Sequence, residues 1–317
     1  MNVYILAPAN RTSGGPELAH QMCHRLNELA PGTAYMIYVD LNLPIGEDLG
    51  ADTPAPEAYK IYNTQHVVDY AAVDKEDSVF VFPEGLTLAI PYIKHAKKVL
   101  WWMSVDNYIV STKETNLERI KKEISLHLYQ SYYSKDYVEK KIPGANGMYL
   151  SDYINDMHGQ FIFPAHLRQD IALYNPAKGY EDLKPLIDKT SWLKWMALTG
   201  LDVEHMVFMM QNSKIYVDFG NHPGKDRIPR EAAANGCCVI TNKKGAAAFE
   251  GDVPIPDKYK FESPADSLDD LDTLLHEICD NFKDHQNDFE SYRKMIAGEK
   301  NRFNEDCKTF LSKIQTL

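Results

Sequence analysis

Short apolar runs alternate with amphipathic segments along the first half of the chain. Val3–Pro8, Tyr35–Val39 and Val79–Phe82 are too short for buried helices and rich in β-branched or aromatic residues, which favours strands. Between the first two runs, apolar residues recur at helical spacing over Glu17–Leu29. Strands that alternate with helices predict parallel sheets covered by helices, so we expect an α/β fold.

The second half of the chain repeats this pattern. Asp170–Tyr174, Ile215–Phe219 and Cys237–Thr241 are predicted strands, and each leads into a loop that contains glycine. Arg230–Ala234 is a predicted helix, because it follows a proline and ends at an Asn-Gly pair. The shared strand, glycine loop and helix organisation indicates two Rossmann-like halves.

Length and pattern together indicate two domains and a tail. A domain usually has roughly 100–200 residues, so a chain of 317 residues is long enough for two. We place the first domain at residues 1–160 and the second at residues 161–285. Apolar positions recur at near-helical spacing beyond residue 289, so residues 286–317 are predicted to form a helical tail.

The densest chemical signal lies in the second half. One predicted strand ends at a loop that holds Gly220 and Gly224, and an alanine-rich helix follows that loop. Glycine loops at the carboxyl ends of strands, next to helix N-termini, are common phosphate sites. Lys225 and Arg227 add positive charge. Glu231 would repel phosphate, so it is better suited to accept hydrogen bonds from sugar hydroxyls.

The run P-R-E-A-A-A-N-G-C-C-V-I-T-N-K-K-G, which starts at Pro229, resembles a known family motif. It is similar to the carboxyl-terminal nucleotide-sugar motif of GT-B glycosyltransferases, especially retaining enzymes of the family-four type. The resemblance implies two Rossmann-like domains that face each other across a cleft, with a C-terminal helix that crosses back to the first domain. It also implies that Glu231 holds the ribose of the donor.

Two positions depart from the pattern of that family. The family's first Glu, which contacts the donor sugar, would fall at Pro223, so His222 or Asp226 is the candidate replacement, and we name His222 as a catalytic candidate. The family's diphosphate-binding Arg would fall at Asn175. The Lys-Gly pair that follows this Arg in the family is present at Lys178, which the resemblance assigns to the donor diphosphate.

The first half offers two further candidate sites. Ser13, Gly14 and Gly15 follow the first strand in the run S-G-G-P-E, and the resemblance places such a loop near the donor phosphate and the acceptor. A tight turn for helix packing is the alternative. Asp106 follows the strand V-L-W-W-M, where it is either a catalytic or acceptor-binding group or the cap of the next helix.

The amino-acid composition limits which classes of binding partner are expected. A formal net charge of −11 argues against nucleic acid, because phosphate backbones demand a basic surface. Lysines concentrate in the first half, at positions 94, 97, 98, 121, 122, 140 and 141. They form either a basic face for peripheral membrane contact or an ordinary solvated surface. The N-terminal run M-N-V-Y-I-L-A-P-A-N lacks a basic leader and a long apolar core, so we expect a first strand rather than a signal peptide, and a cytoplasmic protein or one at the inner face of the membrane.

Metal and redox chemistry receive little support. The five cysteines include no C-x-x-C pair, and adjacent Cys237 and Cys238 are predicted to be small buried apolar residues. Asp270 and Asp272 match D-x-D, but they lie in the acidic first turns of a predicted helix. We therefore assign no metal site and no cofactor, with a nucleotide-sugar as the donor substrate.

Three functions fit these observations. The first is a metal-independent glycosyltransferase that moves a sugar from a nucleotide-sugar to a glycan or another hydroxyl acceptor, as in polysaccharide biosynthesis, with retention implied by the resemblance. The second is a binding or scaffold protein that kept the fold and lost turnover, which Pro223 and Asn175 favour. The third is a nucleotide-sugar epimerase. A nicotinamide dehydrogenase is disfavoured because no G-x-G-x-x-G fingerprint occurs.

Overall fold

A computed structural model describes residues 1–46 and 50–317 of the chain. The described residues form two compact units. The first unit contains residues 1–152 and 301–317, and the second contains residues 153–300.

The first unit is built on a parallel sheet. Six strands pair in the order β2-β1-β3-β4-β5-β6, and all pairings among the described residues of this sheet are parallel. The strands are β1 (Asn2–Pro8), β2 (Ala34–Val39), β3 (Ser78–Pro83), β4 (Lys97–Trp102), β5 (Leu126–Tyr129) and β6 (Gly147–Tyr149).

Helices connect these strands, as parallel pairing requires. They are α1 (Gly14–Leu29), α2 (Val105–Thr112), α3 (Leu117–Glu123) and α4 (Tyr132–Lys141). The link from β3 to β4 is a 3₁₀ segment, Glu84–Tyr92. Pro91 lies inside this segment, and proline cannot donate the backbone hydrogen bond that an α-helix interior needs.

The second unit repeats the design with a five-stranded parallel sheet. Its order is β11-β10-β9-β7-β8, with β7 (Gln169–Tyr174), β8 (Lys194–Ala197), β9 (Ser213–Asp218), β10 (Cys238–Asn242) and β11 (Lys260–Phe261). The edge strand β11 is short, with only the two residues Lys260–Phe261.

Six α-helices of the described residues lie within this unit, and a seventh starts there. They are α5 (Tyr180–Lys189), α6 (Val203–Asn212), α7 (Arg227–Ala234), α8 (Leu268–Asp280), α9 (Phe282–Asn287) and α10 (Glu290–Ala297), and α11 (Glu299–Ile314) follows across the unit boundary. The predicted helical tail is therefore two helices, α10 and α11, separated at Gly298.

Each sheet has a switch point, at which the order of successive strands along the sheet reverses. In the first sheet β1 lies between β2 and β3, and in the second β7 lies between β8 and β9. Loops that leave the two central strands of such a point diverge to opposite faces, and the crevice between them is the usual ligand site of open α/β sheets. The two switch points are therefore the places where binding residues are expected.

Apolar side chains fill the interior of both units. In the first unit Phe80, Phe82, Leu100 and Trp102 are completely buried, and in the second unit the adjacent Cys237 and Cys238 are too. The two cysteines are thus small buried residues, as predicted. All five cysteines are unbridged thiols.

Arg168 is a buried charged residue of the second unit, and its guanidinium forms hydrogen bonds with backbone carbonyls instead of a carboxylate. Arg168 donates hydrogen bonds to the carbonyl oxygens of Met210 (3.1 Å), Ser213 (2.7 Å) and Asn235. Burial lowers its pKa from the usual value. Arg168 therefore donates hydrogen bonds to carbonyl oxygens at the C-terminal ends of α6 and α7. These carbonyls have no N–H donors within their own helices.

Candidate functional site

Three glycine loops meet at the switch point of the second sheet. A Cβ atom placed on Gly179, in the loop after β7, would lie 2.3 Å from the backbone nitrogen of Gly220, in the loop after β9. A Cβ on Gly245, in the loop after β10, would lie 2.0 Å from the carbonyl oxygen of His222. Such distances are shorter than any van der Waals contact. Glycine is therefore required where these loops touch.

Hydrogen bonds hold the loops together. The backbone N–H of Ala246 donates to the carbonyl of His222 at 2.8 Å, and the side-chain amide of Asn242 donates to the carbonyl of Gly220 at 2.8 Å. Both donors come from β10 or the loop that follows it, and both acceptors come from the loop after β9. The loop with the predicted site residues is thus anchored by its neighbour strand.

A charged cluster lies on this glycine platform. The ammonium of Lys178 donates to both carboxylate oxygens of Asp226, at 3.0 and 3.2 Å. His222 Nδ1 lies 3.2 Å from Asp226 Oδ2, and His222 Nε2 lies 3.9 Å from Asp218 Oδ1. Lys178 is exposed, whereas the side chain of His222 is only 1% exposed. The structure therefore brings Lys178, His222 and Gly220 together, three of the residues that the sequence singled out.

Mutual attraction sets the ionisation of this cluster. Burial opposes a charge on His222, but the hydrogen bond to Asp226 and the nearby charge of Asp218 outweigh it and raise the pKa of the imidazole. Burial also opposes ionisation of Asp226, but His222 and Lys178 outweigh it and lower the pKa of that carboxyl. His222 and Asp226 thus favour their charged forms side by side.

The same cluster offers metal-ligand chemistry. One ligand atom each from Asp218, His222 and Asp226 lie within 4.8 Å of one another. Carboxylate and imidazole are ordinary ligands of divalent cations. In this structure the ammonium of Lys178 is paired with the carboxylate of Asp226, so a metal ion at this carboxylate would have to displace Lys178.

The remaining predicted residues of these loops have varied surroundings. Asn175 turns the loop after β7, since its side-chain oxygen accepts the N–H of Ala177 at 3.0 Å and its carbonyl accepts the N–H of Lys178 at 3.3 Å. Gly224 is buried in the loop after β9, and Arg227 is the first residue of α7. Their predicted contacts with a donor stay predictions.

Lys225 lies in surroundings that the sequence did not suggest. Its side chain is 8% exposed, and its ammonium lies 2.6 Å from Glu299 Oε1. A contact between Lys225 and a phosphate would require this ion pair to break. Lys178, whose side chain is 40% exposed, is the more accessible cation of the two.

Glu231 lies on α7, behind the loop. Its carboxylate is 3.8 Å from Nε2 of His158, whose side chain is 2% exposed. Burial lowers the pKa of His158 to about 4, so this imidazole is neutral at physiological pH. His158 is held in turn by the side chain of Asn235 at 2.7 Å. The predicted ribose-binding carboxylate thus has a fixed, uncharged neighbour.

The first unit carries its candidates at its own switch point. Ser13, Gly14 and Gly15 lie after β1, at the start of α1, and the first two are exposed. Tyr59 fixes this loop, because its hydroxyl accepts from the N–H of Ser13 at 2.7 Å and donates to the Ser13 carbonyl at 2.9 Å. The N–H groups at the start of α1 are suited to an anion.

Asp106 lies in the first turn of α2. It accepts a hydrogen bond from the hydroxyl of Tyr133 at 2.7 Å, and the N-cap position of the helix belongs to Ser104. Asp106 is therefore not the cap residue. Its predicted catalytic or acceptor-binding role stays a prediction.

Glu84 is a buried carboxyl at the same switch point, since it directly follows β3. Its side chain accepts the backbone N–H of Met103 at 3.0 Å, and the residue is 6% exposed. Burial raises its pKa to about 7, although hydrogen bonds from backbone N–H groups partly oppose the shift. The position after a strand was the only sequence signal for it.

The pKa of Glu84 gives a testable pH dependence. Folding raises it from 4.5 to about 7, so the folded state keeps a proton that the unfolded state loses in that range. Stability from this group is thus present below pH 4.5 and falls as pH rises towards 7, by about 3 kcal/mol in total. We expect Glu84→Gln, which stays neutral, to exceed the wild type in free energy of unfolding at pH 8 and to match it near pH 4. Parallel stability curves from urea unfolding across that range would contradict this.

The lysines of the first unit are mostly paired. Lys98 lies 2.5 Å from Glu123, Lys121 lies 2.7 Å from Glu118, and Lys140 and Lys141 have carboxylate partners at 2.7 and 2.9 Å. Their charges are therefore partly neutralised within the unit. Among the described residues, no helix combines the length and apolar character needed to cross a bilayer.

Solved structures share this architecture along nearly the whole chain. A sucrose-phosphate synthase from Thermosynechococcus elongatus aligns with a TM-score of 0.70 over 99% of both chains, at 12% identity. HepE from Anabaena, solved in complex with UDP, aligns with a TM-score of 0.70 over 99% of this chain and 100% of that chain, at 12% identity. A trehalose-6-phosphate synthase aligns with a TM-score of 0.60 over 100% and 99%, at 10% identity. No protein-family model and no curated protein matches the sequence.

These structures are GT-B glycosyltransferases. At 10–12% identity the likeness concerns the fold, and it extends over both parallel sheets and the C-terminal helix. The chain therefore has the GT-B fold that the sequence motif predicted.

Proposed function

We propose that the protein is a glycosyltransferase that uses a nucleotide-sugar donor. The observation that carries the proposal is the position of Lys178, an exposed ammonium on three touching glycine loops at the switch point of the second sheet. A diphosphate fits this place, because glycine permits a close backbone approach and the N-terminus of α7 adds N–H donors. The binding of UDP by HepE, which shares the fold, supports it.

The proposed reaction is the transfer of the sugar to an acceptor hydroxyl. The new bond joins the acceptor oxygen to the anomeric carbon, and the bond from that carbon to the diphosphate oxygen breaks. The leaving diphosphate keeps the electron pair, and the proton of the acceptor hydroxyl passes to an oxygen of this diphosphate. Lys178 would move from Asp226 to the diphosphate, where it stabilises the charge that develops on the leaving group. No cofactor takes part, and no metal ion is required.

Finer features rest on the sequence motif. Glu231 would hold the ribose, His222 would approach the donor sugar, and Ser13 to Gly15 would lie near the junction of donor and acceptor. Retention of configuration, a glycan acceptor, polysaccharide biosynthesis and a cytoplasmic location, with or without contact to the inner face of the membrane, belong to the same proposal. The paired lysines of the first unit do not add to the case for membrane contact.

A scaffold protein with the same fold is the second candidate. Pro223 occupies the position where the resembling enzymes have the Glu that contacts the donor sugar, and the loop around it contains no glutamate. Such a protein would bind the nucleotide and leave the donor intact. Binding and turnover therefore have to be measured separately.

The first experiment is thermal unfolding with a panel of nucleoside diphosphates. A ligand that binds only the folded state stabilises it by about 2.7 kcal/mol at 100 times its Kd. We expect one nucleotide to raise Tm in the wild type and Lys178→Met to weaken its binding about tenfold or more, which corresponds to about 1.4 kcal/mol. Lys184→Met is the matched control, because Lys184 is an exposed lysine of the same unit that pairs with Asp188.

The possible results separate the candidates. No shift with any nucleotide at millimolar concentration would contradict the donor site. Equal losses in Lys178→Met and Lys184→Met would contradict the assignment of Lys178. A specific shift without consumption of the matching nucleotide-sugar, across a set of acceptor glycans and in simple hydrolysis, would favour the scaffold.

A further inference from the structure

Three charged side chains form a buried cluster behind the loop that follows β9. The carboxylate of Glu299 accepts from Arg230 Nη1 at 2.7 Å through Oε2, and its Oε1 lies 2.6 Å from the ammonium of Lys225. The side chains of Arg230 and Glu299 are 0% and 1% exposed. The carboxylate of Glu299 thus contacts two buried cations.

Arg230 also binds the main chain of the loop. Its Nη2 donates to the carbonyl of Lys225 at 3.0 Å, and its Nε donates to the carbonyl of Asp226 at 3.1 Å. The planar guanidinium has a rigid arrangement of donors, so its orientation towards Glu299 also fixes its orientation towards these carbonyls. Glu299 therefore holds the backbone at positions 225 and 226 through Arg230.

The side chain of Asp226 carries this constraint into the candidate donor site. Its carboxylate accepts from Lys178 at 3.0 and 3.2 Å and lies 3.2 Å from His222. One contact path thus runs from Glu299 to Arg230, then to the backbone of Asp226 and finally to Lys178. All of its members belong to the second unit.

Stability alone does not account for such a cluster. Desolvation of buried charges costs several kcal/mol for each ion, and apolar side chains of similar volume often stabilise a protein equally well. What an ionic cluster adds is direction, since each donor has to face its acceptor. The direction specified here is that of the loop which holds His222 and Asp226.

We propose that Glu299 is a positioning residue for the loop over residues 219–226, which holds His222 and Asp226. It has no contact with the charged cluster around Lys178, and it acts by fixing the guanidinium of Arg230 and through it residues 225 and 226. The proposal rests on the proposed function only for the identity of the ligand, a nucleoside diphosphate. The geometry of the loop is a property of the ligand-free protein and can be measured without it.

The test compares Glu299→Gln with Glu290→Gln. Glu290 lies in α10 of the same unit, where it forms an exposed pair with Lys294, so its replacement controls for the loss of one carboxylate. Hydrogen exchange is measured for peptides that cover residues 219–227, relative to peptides from β9. We expect Glu299→Gln to speed exchange of the loop selectively and to weaken binding of UDP, or of whichever nucleotide binds the wild type, about tenfold or more.

Arg230→Lys is the second variant, in case Glu299→Gln fails to fold. It keeps the charge opposite Glu299 but has too few donors in the right plane to bind both loop carbonyls. We expect the same selective exchange and the same loss of affinity, together with a Tm below that of the wild type, because two loop carbonyls lose their guanidinium donor.

The outcomes are distinct. Loop exchange equal to that of Glu290→Gln, or an unchanged affinity in a protein that binds nucleotide, overturns the positioning role. A wild type that binds no nucleotide overturns the proposed function instead, and selective loop exchange then still decides the role of Glu299.

Discussion

Arg168→Met is expected to lower the free energy of unfolding by about 3–5 kcal/mol, because it removes the guanidinium that donates to several buried carbonyls. The carbonyls of Met210 and Ser213 would then keep only the weak thiol donor of Cys237, at 3.1 and 3.5 Å, as a side-chain partner. The guanidinium binds the carbonyls of Met210, Ser213 and Asn235 and lies over the ring of Phe282, 5.6 Å from its centroid. Methionine replaces the packing of the aliphatic stem but donates no hydrogen bond. A loss of this size is a large share of the 5–15 kcal/mol that typically stabilises a folded protein.

Urea unfolding of the wild type, Arg168→Met and Arg293→Met measures this effect. Arg293 is a half-buried arginine of the same unit that donates to the carbonyl of Gln286 at 2.9 Å. We expect its replacement to cost about 1 kcal/mol, the usual value of a single hydrogen bond. Similar losses in both variants would show that Arg168 contributes no more than an ordinary arginine and would refute the carbonyl-binding role.

Gly245→Ala is expected to have the second largest effect, and to act on the candidate site itself. Gly245 has φ +52°, and a Cβ there would lie 2.0 Å from the His222 carbonyl oxygen. The left-handed backbone costs alanine about 1–2 kcal/mol, and the clash adds about 1–3 kcal/mol or displaces the loop. Since His222 belongs to the charged cluster, displacement of the loop would also abolish nucleotide binding.

Gly200→Ala is the matched control for this substitution. Gly200 lies in the same unit with φ +65°, but a Cβ there meets no atom within 4 Å. It therefore has the backbone strain without the clash. Chemical unfolding and nucleotide titration of both variants separate the two effects. Equal stability losses with retained binding would mean that the loops after β9 and β10 can part freely, and the close packing of the site would lose its importance.

Local patterns predicted the architecture well. Apolar runs such as Val3–Pro8 and Asp170–Tyr174 are strands in the structure, and the alternation with helices gave the parallel sheets and the α/β class. These features succeed because burial on both faces of a parallel sheet leaves a continuous apolar run in the sequence. The helix predicted at Arg230–Ala234 exists but starts one turn earlier, at Arg227.

Contacts of charged residues with partners far away in the chain could not be predicted from the sequence. The sequence predicted that Lys225 binds phosphate, because it follows a glycine loop. Its ammonium instead contacts Glu299, which lies 74 positions away in the chain. The carboxyl of Glu84 depends likewise on the backbone of Met103, which directly follows β4. The spacing of a motif indicates which residues share a loop. The ion-pair partner of a buried charged residue depends instead on which helices and strands pack together in the fold.

The location of Glu299 has a practical consequence for dissecting the protein. The helical pattern alone sets residues 286–317 apart as a tail, and a protein shortened at residue 285 would contain the whole second domain that the sequence predicts. Such a protein would lack Glu299, a counter-charge of Lys225 and Arg230, together with Phe289 and Tyr292, which are completely buried in the core of that unit. An isolated second unit therefore has to extend at least to Lys300, where this unit ends.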